Sequence, residues 1–112
     1  MQLLSEAGRF TLPGDGAPRH WAENFRTTHL SVGTYSVPLD GADLQQPHTE
    51  DEIYVVIAGR AELETPTDRV PVGPSSVIYV PAGEPHRFVD LTEALTVLVI
   101  FVPPEGSAGS VG

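Results

Sequence analysis

The stretch Gln45-Gln46-Pro47-His48-Thr49-Glu50-Asp51-Glu52 gathers two amides, an imidazole and three carboxylates directly ahead of the apolar run Ile53–Ala58. If this segment is extended, side chains alternate between faces, so Gln46 and His48 share a face at about 7 Å along the backbone, close enough to chelate one ion. Glu52 has the same parity but lies roughly 13 Å beyond His48 in an extended chain, so the backbone must bend near Thr49–Asp51 for all three to meet. A helix would also align His48 with Glu52, but Pro47 and the β-branched residues after Glu52 oppose it. Imidazole and carboxylate suit a divalent transition metal, and the Gln46 amide oxygen adds a neutral hard donor. A fourth candidate stands downstream, where Pro81 and Gly83 mark a tight turn that delivers His86 to the head of another apolar run. His48, Glu52 and His86 would then form a two-histidine, one-carboxylate face with positions open to substrate, water or oxygen, completed or buttressed by Gln46.

Such donors converge only if strands position them. Runs rich in valine, isoleucine, threonine and tyrosine read as strands over 26–37, 52–58, 61–64, 69–72, 76–80, 87–91 and 94–102. Turn formers separate them: Pro38–Gly41, Ala58-Gly59-Arg60, Pro66–Asp68, Gly73-Pro74 and Pro81–Pro85. The pattern is a series of antiparallel hairpins, with apolar residues on both parities in 53–58 and 96–102, as in strands covered on both faces. No segment carries a helical stripe. Residues 1–20 read as an N-terminal arm, frayed or added to a sheet edge, and 104–112 as a flexible tail.

The chain of 112 residues, 40% hydrophobic, is expected to form one domain with one core, 1–112. Its formal net charge of −9 opposes binding to nucleic acid or to an anionic membrane. The opening residues lack the charged and apolar regions of a secretory signal, and the run Val97–Val102 is too short to span a bilayer. With no cysteine to form a disulfide, a cytoplasmic, soluble protein is the expectation.

Both donor segments resemble the paired signatures of the cupins, small double-stranded β-helix barrels. The first signature runs Gly, five residues, His-X-His, three or four, Glu, six, Gly, and His48, Glu52 and Gly59 match its spacing. The second runs Gly, five residues, Pro-X-Gly, two, His, three, Asn, matched by Pro81, Gly83 and His86. Gln46 replaces the first family histidine, Gly41 lies one residue too close, Ser75 takes a glycine position and Asp90 takes the asparagine. The resemblance implies an all-β fold, a jelly-roll-like antiparallel barrel, holding one divalent metal on Gln46, His48, Glu52 and His86. Loss of an imidazole favours iron, manganese or zinc. A Gln-X-His pair with a glutamate and a second histidine is also similar to the zinc set of phosphomannose isomerases, although this chain is far shorter than those enzymes.

The resemblance implies a metal-dependent enzyme acting on a small organic molecule, with oxygenase chemistry first and isomerase or cyclase chemistry next. Glu52 would be the anionic ligand or, if detached, a general base. A non-catalytic module that binds a small molecule is the other reading. The family's habit of pairing through sheet edges implies a homodimer. Other polar residues have plainer expectations: Glu50 and Asp51 as solvated corner residues, His29 as a structural histidine within a strand, His20 without assignment. Tyr35, Tyr54, Tyr79 and Phe88 are expected in the core, and Trp21 as an anchor for the arm. No phosphate-binding loop, dinucleotide fingerprint or nucleophile elbow is present.

Overall fold

A computed structural model describes residues 1–43 and 45–108. The chain forms β1 (His20–Arg26), β2 (Ser31–Val37), β3 (Asp51–Glu64), β4 (Arg69–Val72), β5 (Val77–Val80) and β6 (Arg87–Val102). They lie in the order β1-β2-β6-β3-β4, with β5 also on β3, and every pairing is antiparallel. This is an all-β fold, as the alternation and turn chemistry predict.

The frame is the pairing of β3 with β6, which runs from Asp51 opposite Val102 to Glu64 opposite Arg87. Strands this long must bend to enclose a core, and the bend falls where the register shifts between Val56 and Glu62. Gly59 sits there at φ +92°, and a Cβ on it would lie 2.1 Å from the Ala94 carbonyl oxygen. Only glycine fits that conformation and that approach. Turn chemistry at Ala58–Arg60 predicts a break between two strands; the structure instead carries β3 through it as a bulge, and β6 likewise joins the two runs expected at 87–91 and 94–102. Before the bulge β3 pairs with β5, and after it with β4, so the sheet wraps on itself.

Every second residue faces inward: Glu52, Tyr54 and Val56 on β3, and Leu95, Val97, Val99 and Phe101 on β6. Tyr35 and Phe88 join this core as expected, whereas Tyr79 does not, being 58% exposed on β5. Its side chain belongs to the outer face, where it opposes Ile53, which in turn opposes Ile100.

The strand expected over 26–37 is really the end of β1, a turn and β2. Thr27 makes that turn by accepting the backbone N–H groups of His29 and Leu30 at 3.0 and 3.2 Å, which leaves His29 exposed rather than in a strand. Trp21 is part of β1, not an anchor for the arm, and its indole lies over Gly33, where a Cβ would come within 2.1 Å of the ring. Where the arm is hydrogen-bonded it neither frays nor adds a strand at an edge. Gly8 and Thr11 donate backbone N–H groups to the side chains of Thr34 and Ser36 on β2, at 2.9 and 3.1 Å.

Glu50 is the clearest departure from expectation. Far from being solvated, it is 2% exposed and accepts the N–H groups of Gly106 and Ala108 at 2.9 and 3.1 Å, with Thr49 donating its hydroxyl. Glu105 N–H also bonds Ser31 Oγ at 3.0 Å, so the tail is held as far as Ala108; the last four residues expected in the flexible tail lie outside the described residues. Asp51 is exposed, as expected, and accepts the Ala82 N–H at 2.8 Å.

Burial alone would raise the Glu50 pKa, but the bonds from Thr49, Gly106 and Ala108 outweigh it and hold the carboxyl below the usual glutamate range. A pKa depressed by folding contributes stability above the unfolded value of about 4.3, and that stability is lost as pH falls through the folded value. Urea unfolding between about pH 5 and about pH 3 should therefore weaken more steeply for the wild type than for Glu50→Gln. Parallel pH slopes would contradict this clasp.

Candidate metal centre

Val80 at the end of β5 pairs with Glu52, and the turn Pro81–Pro85 then reverses the chain. Two backbone donors fix the turn: Gly83 N–H to the His48 carbonyl at 2.7 Å and Ala82 N–H to Asp51. Ser75, in the glycine position of the second motif, adopts φ 70°, the left-handed conformation that position demands. The consequence is that His86 returns over Glu52, with Nε2 3.0 Å from Oε1 and both side chains 1% exposed.

His86 Nδ1 lies 2.7 Å from the Glu84 carbonyl oxygen. A carbonyl can only accept, so Nδ1 carries the hydrogen and Nε2 presents its lone pair inward. Burial depresses the proton affinity of this ring, yet Glu52 and the Glu84 carbonyl outweigh it and raise the basicity of Nε2. By geometry neither oxygen of Glu52 accepts a hydrogen bond, although His86 Nε2 stands 3.0 Å from Oε1 and would form an ion pair with it when protonated. A buried carboxylate without a donor is costly by several kcal/mol and calls for a cation, which either a protonated His86 or a metal ion supplies.

Tyr54 closes the inner side. Its hydroxyl lies 2.7 Å from His86 Nε2 and takes a hydrogen bond from Gln45 Nε2 at 3.0 Å. Burial first, then the Glu52 and Asp43 carboxylates, pushes this phenol well above its ordinary pKa, so it stays protonated and donates to His86. Gln45 in turn donates to Asp43 Oδ2 at 3.0 Å, and its Oε1 accepts from His48 Nε2 at 3.2 Å. Asp43, 5% exposed, also accepts from Tyr35 at 2.6 Å and from the Phe88 N–H at 2.8 Å. One connected network thus joins Asp43, Gln45, Tyr54 and His86, with Gln45 donating to both Asp43 and Tyr54.

Of the four residues that spacing and resemblance nominate, Glu52 and His86 meet directly. His48 does not touch that pair: its ring centroid is 6.4 Å from that of His86 and its Nε2 hydrogen is directed at Gln45. Gln46 is exposed on the rim of the neighbouring cavity. Alternation along an extended chain puts Gln46 beside His48, but Pro47 lies in an irregular segment where alternation does not hold, and Gln45 takes that place. Among the described residues no three histidine, aspartate or glutamate side chains converge as a metal cage. The Glu52 oxygens without donors and the oriented His86 Nε2 nonetheless fit a divalent transition metal as two donors, with Tyr54, Gln45 and His48 next to them.

A cavity of about 270 Å³ opens beside this centre, with Trp21, Tyr35 and Phe101 as walls, Arg19 at one part of its lining and His48 with Glu105 at another. Glu105 Oε2 is 3.7 Å from His48 Nδ1, and burial raises its pKa against the lowering effect of His48. Asp43, Gln45 and Arg19 carry no motif signal, and Tyr54 reads as plain core from its parity, so none of these was legible as a site residue. His20 lines a separate small cavity with Arg9 and Asn24.

The family profile for the cupin domain matches residues 29–102. The chain belongs to the cupin family. Across 91 residues this cupin is 42% identical to the uncharacterized protein SCO3923 of Streptomyces coelicolor, covering 81% of this chain and 84% of that one. Its fold is similar to TT1209 of Thermus thermophilus, with a TM-score of 0.70, 18% identity and 93% and 97% of the two chains covered. It is similar also to KdgF of Halomonas sp., with a TM-score of 0.70, 18% identity and coverage of 82% and 85%. A structure of DMSP lyases matches at a TM-score of 0.66 and 25% identity, over 73% of this cupin and 46% of that chain. These neighbours establish the double-stranded β-helix. No helix among the described residues is long and apolar enough to cross a membrane.

Proposed function

We propose that this cupin is a metal-dependent enzyme that performs non-redox proton-transfer chemistry, of the lyase, isomerase or cyclase kind, on a small organic molecule. The observation that carries the reading is the Glu52 carboxylate, buried with no hydrogen-bond donor beside the lone pair of His86 Nε2. Glu52 and His86 would hold the ion, iron, manganese or zinc. Bound there, it would supply Lewis-acid polarisation of a substrate oxygen.

The remaining work falls to the chain's own groups. The Tyr54 hydroxyl is the group that would give a proton, with Gln45 and Asp43 keeping the phenol in place, and a substrate would reach it from the cavity past the Gln45–His48 segment. The barrel interior keeps bulk water away from that proton, since Tyr54 is 1% exposed. One structural neighbour is described as a lyase, which is in keeping with this reading.

Oxygenase chemistry is the second reading, favoured by the donor set of His48, Glu52 and His86 if Gln45 moves and frees the His48 imidazole. Exchange of solvent deuterium into a panel of small carbonyl compounds, followed anaerobically by NMR on metal-loaded protein, separates the two. Exchange by the wild type that falls at least about a hundredfold in Tyr54→Phe, with metal content unchanged, is the expected result. Oxygen uptake with the same panel and no anaerobic exchange would replace this reading with the oxygenase. Neither activity in metal-loaded protein would leave a binding module.

The cytosol is the compartment in keeping with the lack of cysteine. The protein is proposed to act as a homodimer, supported by the outer face of β5, β3 and β6. There Tyr79, Ile53 and Ile100 stand in one cross-strand row and Val77, Val55 and Leu98 in the next, with Val77 66% exposed. Sedimentation should give twice the chain mass for the wild type and a single chain mass for Tyr79→Glu; a monomeric wild type would remove the proposal.

A further inference from the structure

Arg19 is half-buried in the wall of the cavity beside the candidate metal centre. The ion pairs formed by arginine among the described residues use Arg26, Arg69 and Arg87 and leave Arg19 out. Arg9 and Arg60 are left out too, but both are exposed to water, which can solvate them. In a chain with fifteen acidic side chains, a half-buried guanidinium with no carboxylate on it invites one from outside. The Tyr35 hydroxyl, which lines the same cavity, is already committed to Asp43 and cannot serve as its counter-group.

The rest of the lining completes a binding shape. Trp21 and Phe101 meet edge to face at 5.9 Å, and Gly33 lets the indole lie close against β2. Together with Tyr35 and Val99 they form an apolar slot. His48, Glu105, Gln45 and Gln46 supply the other polar groups of the lining, and the Glu105 carboxylate disfavours a second anionic group there. A cavity of about 270 Å³ lies at the small end of ligand pockets.

We propose that this cavity selects small monocarboxylic acids with an aromatic or apolar body, Arg19 reading the carboxylate and Trp21 and Phe101 holding the body. Arg19 is thus a specificity-determining residue. The inference rests on the metal-centre reading only for what happens to the other end of the ligand; recognition of the carboxylate is independent of metal. A planar guanidinium takes a carboxylate through two parallel N–H bonds, which no neutral amide can match.

Trp21 is the single tryptophan, so its fluorescence reports on this cavity alone. Chelator-treated protein is titrated with phenylacetate and with phenylacetamide, and the titrations are repeated on Arg19→Gln and after manganese is restored, with metal content measured on each sample. The expected result is that phenylacetate binds at least about tenfold more tightly than phenylacetamide without metal, and that Arg19→Gln brings the ratio to about one while circular dichroism is unchanged. Equal binding of the two probes by the wild type, no fluorescence response to either, or a preference that survives in Arg19→Gln would overturn the inference. A preference that appears only with manganese would overturn it too, by assigning the carboxylate to the metal. Preference for phenylacetate in protein that takes up no manganese would uphold this inference and defeat the metal centre.

Discussion

A carboxylate with no hydrogen-bond donor in a closed interior is the constraint around which this barrel is arranged. Glu52 occupies an inward position of β3, between β5 and β6, so the pairing that builds the barrel also removes its side chain from water. Most buried carboxylates in proteins are answered by donors, as Asp43 and Glu50 are in this same chain. Among the described residues Glu52 is answered by His86 alone in the ion-pair geometry, a group whose Nε2 binds either a proton or a cation. Two buried donors in contact supply part of what a divalent ion requires of a protein, and among the described residues no third histidine, aspartate or glutamate converges on them.

What surrounds them is ordered by backbone contacts more than by side-chain packing. The turn that carries His86 is tied to His48 and Asp51 through its own N–H groups, and the imidazole is oriented by the Glu84 carbonyl. Asp43 joins three elements at once, receiving Tyr35 from β2, the Phe88 N–H from β6 and Gln45 from the irregular segment. Tyr54 is therefore held with a defined proton direction before any ligand arrives, which is the preorganisation that acid–base catalysis needs. The Gln45–His48 segment is the part of the centre that no strand holds, and it separates the buried donors from the cavity.

Much of this was legible in the sequence, for definite reasons. Alternation and turn residues announce antiparallel strands, and the spacing of His48, Glu52 and Gly59, followed by Pro81, Gly83 and His86, locates the two segments that meet. Gly59 reads as a turn because a bulge and a turn need the same left-handed residue; only the opposing Ala94 backbone shows which it is. β1 is hidden because His20–Arg26 mixes polar, charged and aromatic residues without strict alternation. A parity rule favours Gln46 over Gln45, and Pro47 with its irregular surroundings suspends that rule. Glu50 cannot be read as a clasp, since its partners Gly106 and Ala108 contribute only backbone, which no residue type reveals.

Glu52 and His86 are proposed to seat one divalent metal ion. Elemental analysis of protein isolated without added metal, beside Glu52→Gln and His86→Ala purified identically and shown to be folded, is the deciding measurement. Close to one equivalent of iron, manganese or zinc is expected in the wild type, with a loss of at least about tenfold in each variant. A wild type free of metal, even after anaerobic incubation with each of the three ions, would contradict it.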